Sequence, residues 1–190
     1  DLCVKFLGII DVTLFVTLLR NNFSNRKCRV LIAKSQCGKV INFGIIRAVM
    51  RHELLGVKID DISESELEAK LESWLKEEGG HTIATPNAEF LLSARKNTAF
   101  KELLNRSDLA VADSVSLRYA ASALSDHRLE HRVPGVDLLE KLCELSARLG
   151  TRVLFLGGAP SAAESSAQKM KQKFEILDVV ALDPGRVGWN

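Results

Sequence analysis

The sequence predicts an α/β fold, a Rossmann-like and mostly parallel sheet flanked by helices. Three observations carry that expectation. From Met50 onward, short apolar runs alternate with helical stretches, the order that yields parallel strands covered by helical layers. Ser63-x-x-Glu66, Asp137-x-x-Glu140 and Ser161-x-x-Glu164 set polar starts ahead of three of those helices. "RVLFLGG" (Arg152–Gly158) is apolar from Val153 to Leu156, as in a strand buried on both faces.

Taken in order, "ELLGVKI" (Glu53–Ile59) reads as a strand. The helix after Ser63 carries Leu67, Leu71, Trp74 and Leu75 on one face, and Gly79-Gly80 ends it. "HTIAT" is the next short strand, followed by helices around Ala88–Lys96 and Thr98–Leu104. "DLAVAD" (Asp108–Asp113) is a short apolar strand closed by an acid, and a helix follows near Val115–Leu124. The connection "SDHRLEHRVPG" leads to a helix capped by Asp137, bearing Leu139, Leu142, Cys143 and Leu149 and ended by Gly150. Beyond "RVLFLGG" come a helix begun by Ser161 and a last strand, "ILDVVAL" (Ile176–Leu182).

A chain of 190 residues with 46% hydrophobic content fits one globular unit with a substantial core. Its charge is unevenly spread. Residues 1–49 hold eight Lys/Arg against two Asp/Glu, which leaves 18 against 22 of the 26 and 24 in the whole chain. A net negative unit from residue 50 onward argues against nucleic-acid binding, whose affinity rests on neutralising phosphates. Cys3, Cys28 and Cys37 lack paired spacing, so neither a zinc site nor a disulfide scaffold is expected, and a reducing compartment fits better. Cys143, on an apolar helix face, reads as a small core residue. His52, His81, His127 and His131 show no metal-ligand spacing.

Residues 1–49 differ from the rest. They are rich in Cys, Phe and Ile without a clear period, and Lys5 and Asp11 interrupt their most apolar part, which disfavours a spanning helix. Three readings stay open: non-native sequence upstream of a start at Met50, an accessory element packed on the domain, or a basic membrane-facing stretch. The α/β unit is taken as residues 50–190.

Three strands end in residues that can do chemistry, and ligands of open parallel sheets gather at the carboxyl ends of strands. Asp113 can accept a proton from a substrate hydroxyl, or cap the helix that starts near Val115. Thr85 and Asn87 flank Pro86 and can bond a sugar or phosphate, or cap the helix at Ala88. Gly157-Gly158 resembles a phosphate-approach turn, with a tight strand–helix turn as the alternative. It is neither G-x-G-x-x-G nor a P-loop. Arg132 can counter a diphosphate with its planar fork, or lie solvated on the surface. Glu89 suits the positive end of its helix.

Together "TPNAEFLLSARKN", "FKELLNRSDLAVADSVSL" and "RVPGVDLLEKLCELSARLGTRVLFLGGAP" resemble the WecG/TagA/CpsF glycosyltransferase family, in order and spacing. The resemblance implies transfer of an N-acetylhexosamine, such as N-acetylmannosamine, from a UDP-sugar to a polyprenyl-diphosphate-linked N-acetylglucosamine. In that family the step serves wall teichoic acid or other cell-surface polysaccharide synthesis, at the inner face of the bacterial plasma membrane. It implies Asp113 as catalytic base, Thr85, Asn87 and Arg132 as substrate-binding, and Gly157 and Gly158 as nucleotide-binding. It implies no cofactor and no essential metal, in keeping with the missing Asp-x-Asp motif, and allows self-association.

Two departures stand against it. Asp113-Ser114-Val115-Ser116 replaces the family's Asp-Gly-x-Gly. The chain also ends at Asn190, before the family's G-x-P-x-Q-E block and its basic, membrane-associating C-terminal segment, so the fold is read as truncated there. The rival readings are a non-catalytic nucleotide-binding module and a nicotinamide-dependent oxidoreductase, the latter disfavoured by the absent glycine fingerprint. The 190-residue chain assayed alone is expected to show little or no transferase activity, and robust turnover by it would refute this.

Overall fold

The computed structural model describes residues 2–8, 14–20, 50–125, 128–157 and 160–183; Gly158, His127 and the end of the chain from residue 184 lie outside them. The described elements are β1 (Leu2–Gly8), β2 (Leu14–Arg20), β3 (Met50–Leu54), β4 (Val57–Asp61), α1 (Glu64–Lys76), β5 (Gly80–Ala84), α2 (Ala88–Lys96), α3 (Thr98–Asn105), β6 (Leu109–Ala110), α4 (Val115–Leu124), α5 (Gly135–Leu149), β7 (Arg152–Gly157), α6 (Ala162–Lys173) and β8 (Val179–Leu182). A six-stranded sheet runs in the order β6-β5-β2-β1-β7-β8. Its β6–β5, β1–β7 and β7–β8 pairs are parallel, while β2 is antiparallel to both neighbours. Five of these strands therefore share one direction and end on one edge. The paired strands of the first segment, β1 and β2, stand between β5 and β7.

Two apolar layers cover the sheet, and strand alternation decides which residue faces which layer. Ile83, Leu109 and Val111 pack with Leu71 and Trp74 of α1, Leu142 and Leu145 of α5, and Ala163 and Ala167 of α6. Their neighbours in sequence, Ala84, Ala110 and Ala112, face Phe90, Leu104 and Leu117 of α2, α3 and α4 and Leu54, Val57 and Ile59 of the β3–β4 hairpin. Three small alanines on that face let the second layer approach closely. Cys143 is 0% exposed in the first core. Burial, with the Glu140 charge adding to it, pushes its thiol up to about 12, so it packs as an inert apolar group.

Several local expectations hold in detail. Ser63 and Glu66 form the reciprocal capping box of α1. α2 and α4 span the residues expected of them. Others are corrected. "ELLGVKI" is not one strand: Leu55 and Gly56 have φ of 54° and 83° and turn the chain between β3 and β4. Two successive positive φ values are the signature of a tight hairpin turn, which glycine accepts easily and leucine only at some cost. Asp137 lies inside the first turn of α5, whose N-cap is Pro134 without a side-chain bond. Ser161 occupies the N-cap of α6 in the left-handed region and makes no capping bond. In β7 only Val153 and Phe155 are fully buried, so burial there alternates.

The hairpin is fastened to the sheet by one buried carboxylate. Asp60, 5% exposed, accepts from Arg51 Nε at 2.6 Å and Nη2 at 2.8 Å, and from the Ala110 N–H at 2.7 Å. Its backbone also bridges in parallel to Val111. The Asp60 hydrogen bond raises the Arg51 pKa against an opposing effect of burial. Asn105 of α3 closes the other end, donating to the Gly56 carbonyl at 2.9 Å and accepting the Lys58 N–H at 2.8 Å. Asp60→Ala strands both the Ala110 N–H and a partly buried guanidinium. It should cost about 2–4 kcal/mol in urea unfolding, with Asp60→Asn costing less; a loss below about 1 kcal/mol would mean that apolar packing alone holds the hairpin.

Candidate active site at the carboxyl ends of β5 and β6

β5 ends at Ala84, and its carbonyl accepts the Val111 N–H at 2.9 Å. Two residues on, the Pro86 carbonyl accepts the Asp113 N–H at 3.0 Å. The Thr-Pro-Asn step and Asp113 thus lie side by side, although the strand expected over Asp108–Asp113 is formed only at Leu109–Ala110 and Asp113 follows it by three residues. A third segment joins them: the Val133 N–H donates to the Ala112 carbonyl at 2.9 Å, and the Gly135 N–H donates to Asp113 Oδ1 at 2.6 Å. Segments far apart in the chain form one rim because all are stitched to the end of β6.

Each predicted site residue except Gly158 falls among the described residues. Thr85 is 2% exposed. Asn87 is the N-cap of α2, its Oδ1 accepting the Phe90 N–H at 3.0 Å. Asp113 is half-buried and caps a helix, but that helix is α5 rather than the one next to it in sequence. α4 starts after Ser114, which makes no side-chain capping bond and instead pairs with the Ser116 hydroxyl at 2.8 Å. Asp113 Oδ2 has no partner among the described residues. Arg132 is exposed and its side chain is likewise unpaired among them. Glu89 sits in the first turn of α2.

Gly157 ends β7 on the same edge with a φ of 86°, a conformation that glycine accepts at little cost. It is three strand positions from β5 in the sheet order, about 14 Å at the usual strand spacing. It therefore flanks the Thr85–Asn87–Asp113–Arg132 cluster rather than joining it. Gly158 lies outside the described residues. The serine substitutions meet no backbone obstacle: Ser114 has φ −121° and Ser116 lies within α4, so neither position needs a glycine.

The N-termini of α2, α4 and α5 all open on this rim. Their unsatisfied N–H groups and aligned dipoles make it favourable to negative charge. Two residues that the motif reading did not single out shape it further. Asp60 sets β4 against β6, and Asp61 holds the connection from α4 to α5. Asp61 Oδ2 accepts the Glu130 N–H at 2.9 Å, while Oδ1 accepts the His131 N–H at 2.9 Å and lies 3.0 Å from His131 Nδ1. Burial works to raise the Asp61 pKa, but the two backbone bonds and the imidazole together bring it below the usual carboxylate value. The signal available in sequence was the doubled acid that closes the strand after Val57, Lys58 and Ile59. Ligand atoms of Asp61, Glu130 and His131 come within 4.8 Å of one another. Both Asp61 oxygens are already committed to N–H donors, the arrangement of an anchor.

An open α/β sheet with a free carboxylate oxygen, an exposed arginine and helix N-termini on its carboxyl edge has the features of the place where ligands of such sheets gather. The family model described as "Glycosyl transferase WecG/TagA/CpsF family" matches residues 52–189. The chain belongs to that family, and its class of activity is glycosyl transfer between a sugar donor and an acceptor. No described helix is long and apolar enough to cross a membrane.

Asp113 has a structural duty that can be separated from a chemical one. Asp113→Asn keeps an oxygen for the Gly135 N–H, whereas Asp113→Ala removes it. Asp113→Ala should cost about 1–2 kcal/mol in chemical denaturation and Asp113→Asn less than half of that; equal losses would show that the bond to Gly135 does not stabilise the fold.

Proposed function

We propose that the protein transfers an N-acetylhexosamine, N-acetylmannosamine in the first instance, from a UDP-sugar to a polyprenyl-diphosphate-linked N-acetylglucosamine, with inversion. The observation that carries this reading is the unpaired Asp113 Oδ2 on a rim of three helix N-termini beside Arg132. Asp113 Oδ2 takes the proton of the acceptor hydroxyl as that oxygen bonds to the anomeric carbon. The bond from that carbon to the diphosphate oxygen breaks in the same step, and UDP leaves with the electron pair. Asp113 is oriented for this by the Gly135 N–H, which occupies its other oxygen.

Negative charge grows on the diphosphate as the bond breaks, so donors fixed in advance lower the barrier most. Arg132 and the N–H groups at the starts of α4 and α5 fill that role. Asn87 borders the sugar, held by the rigid corner at Pro86, and the buried Thr85 supports that corner from within. Gly157 faces the nucleotide from the far side of the edge. The acceptor's polyprenyl chain ties the reaction to the inner face of the bacterial plasma membrane.

The rival reading, a nucleotide-binding module without catalysis, shares the binding site but gives Asp113 only its capping bond. UDP and UDP-N-acetylmannosamine should raise the melting temperature of the 190-residue chain, while NAD should not. In a chain extended through the family's downstream blocks, Asp113→Asn should bind UDP as the parent does and lose transfer by about a hundredfold or more. Undiminished transfer by that variant removes Asp113 as the base, and a protein indifferent to UDP removes the function.

A further inference from the structure

We infer that Asp61 is a positioning residue for this site: it holds the connection from α4 to α5 so that Arg132 meets the donor's diphosphate preformed. The inference rests on the reading of Arg132 as that diphosphate's cation. Residues 128–134 have no helix or strand of their own, and a free segment of this kind would lose about 1–2 kcal/mol per residue in ordering around a ligand. Its backbone is instead pinned on both sides of Arg132. Asp61 takes the Glu130 and His131 N–H groups, Ala112 takes that of Val133, and Asp113 takes that of Gly135. Arg132 lies between the pinned residues, and its own side chain is unpaired among the described residues. Of these anchors, Ala112 and Asp113 lie two and three residues beyond β6; Asp61 comes from a different sheet.

The chemistry of Asp61 suits the task. A carboxylate accepts from several N–H donors at once, and bonds to an ionised acceptor are the stronger ones. Asp61 accepts from two backbone groups and faces the His131 ring, at 9% side-chain exposure. Among the described residues, its side-chain bonds run only to the connecting segment, whereas Asp60 next to it fastens the hairpin. Changing Asp61 should therefore reach the site through Arg132 and leave the hairpin in place.

A double-mutant cycle read by UDP affinity tests this. Arg132→Ala should weaken UDP binding about tenfold, or about 1.4 kcal/mol. Asp61→Asn, which loses the charge and turns an NH2 toward backbone donors, should weaken it about fivefold. The double variant should bind no more weakly than Arg132→Ala alone, because Asp61 acts only through that guanidinium. Should Asp61→Asn not fold, Asp61→Glu enters the same cycle under the same criteria, since its longer stem displaces both oxygens. Losses that multiply in the double variant, or an Asp61 variant with parental affinity, overturn the inference while leaving the proposed transferase intact. An Arg132→Ala protein that binds UDP undiminished overturns the assignment of Arg132 and this inference with it.

Discussion

The structure turns on a carboxylate taken out of water. Asp60 sits almost wholly buried between the Arg51 guanidinium and the Ala110 N–H. An ion in such a place is costly unless it is paired and hydrogen-bonded, and here a two-pronged ion pair and a backbone donor do both. The cost makes the arrangement specific. A hairpin shifted by one residue would turn Asp60 away from Arg51 and leave the charge unanswered. The second apolar layer, which needs Leu54, Val57 and Ile59 facing inward, depends on that register.

The same register sends the next residue to the opposite side. Consecutive strand residues face opposite ways, so Asp60 fastens the hairpin to the sheet while Asp61 reaches the segment before α5. One strand end thereby links the architecture to the rim of the site. Ion pairs elsewhere, such as those joining Glu68 and Glu72 of α1 to Lys141 and Arg148 of α5, are largely solvated. Pairs of that kind contribute up to about 1 kcal/mol each, and they decide little about where the rim residues lie.

At the rim, one group serves stability and, in the proposed reaction, chemistry as well. Asp113 satisfies an N–H at the start of α5 that would otherwise lack a partner, and its negative charge sits well against the helix dipole. That bond also fixes the direction of the second oxygen. In the proposed reaction, a base pointed in advance loses no orientation entropy when the acceptor arrives. Three helices begin around it because β5, β6 and the pinned connection all end on one edge, and each helix leaves from that edge.

How much of this could be read without coordinates differs from residue to residue. The alternation of strands and helices, the Ser63–Glu66 box, the burial of Cys143 and the capping role of Asn87 all follow from spacing within a few residues, so the sequence by itself determined them. The family blocks also pointed to Thr85, Asn87, Asp113 and Arg132. Local pattern misjudged the Leu55-Gly56 turn, where a leucine accepts a positive φ, and the start of α5, where Asp137 looked like the cap. Only the tertiary structure decided that Asp113 caps α5 across 22 residues, that Asp60 receives the Ala110 N–H across 50, and that Asp61 holds His131 across 70. The physical reason is that a carboxylate binds whichever donors the order of strands brings to it, and strand order is settled by the packing of whole layers, not by the residues beside it in the chain.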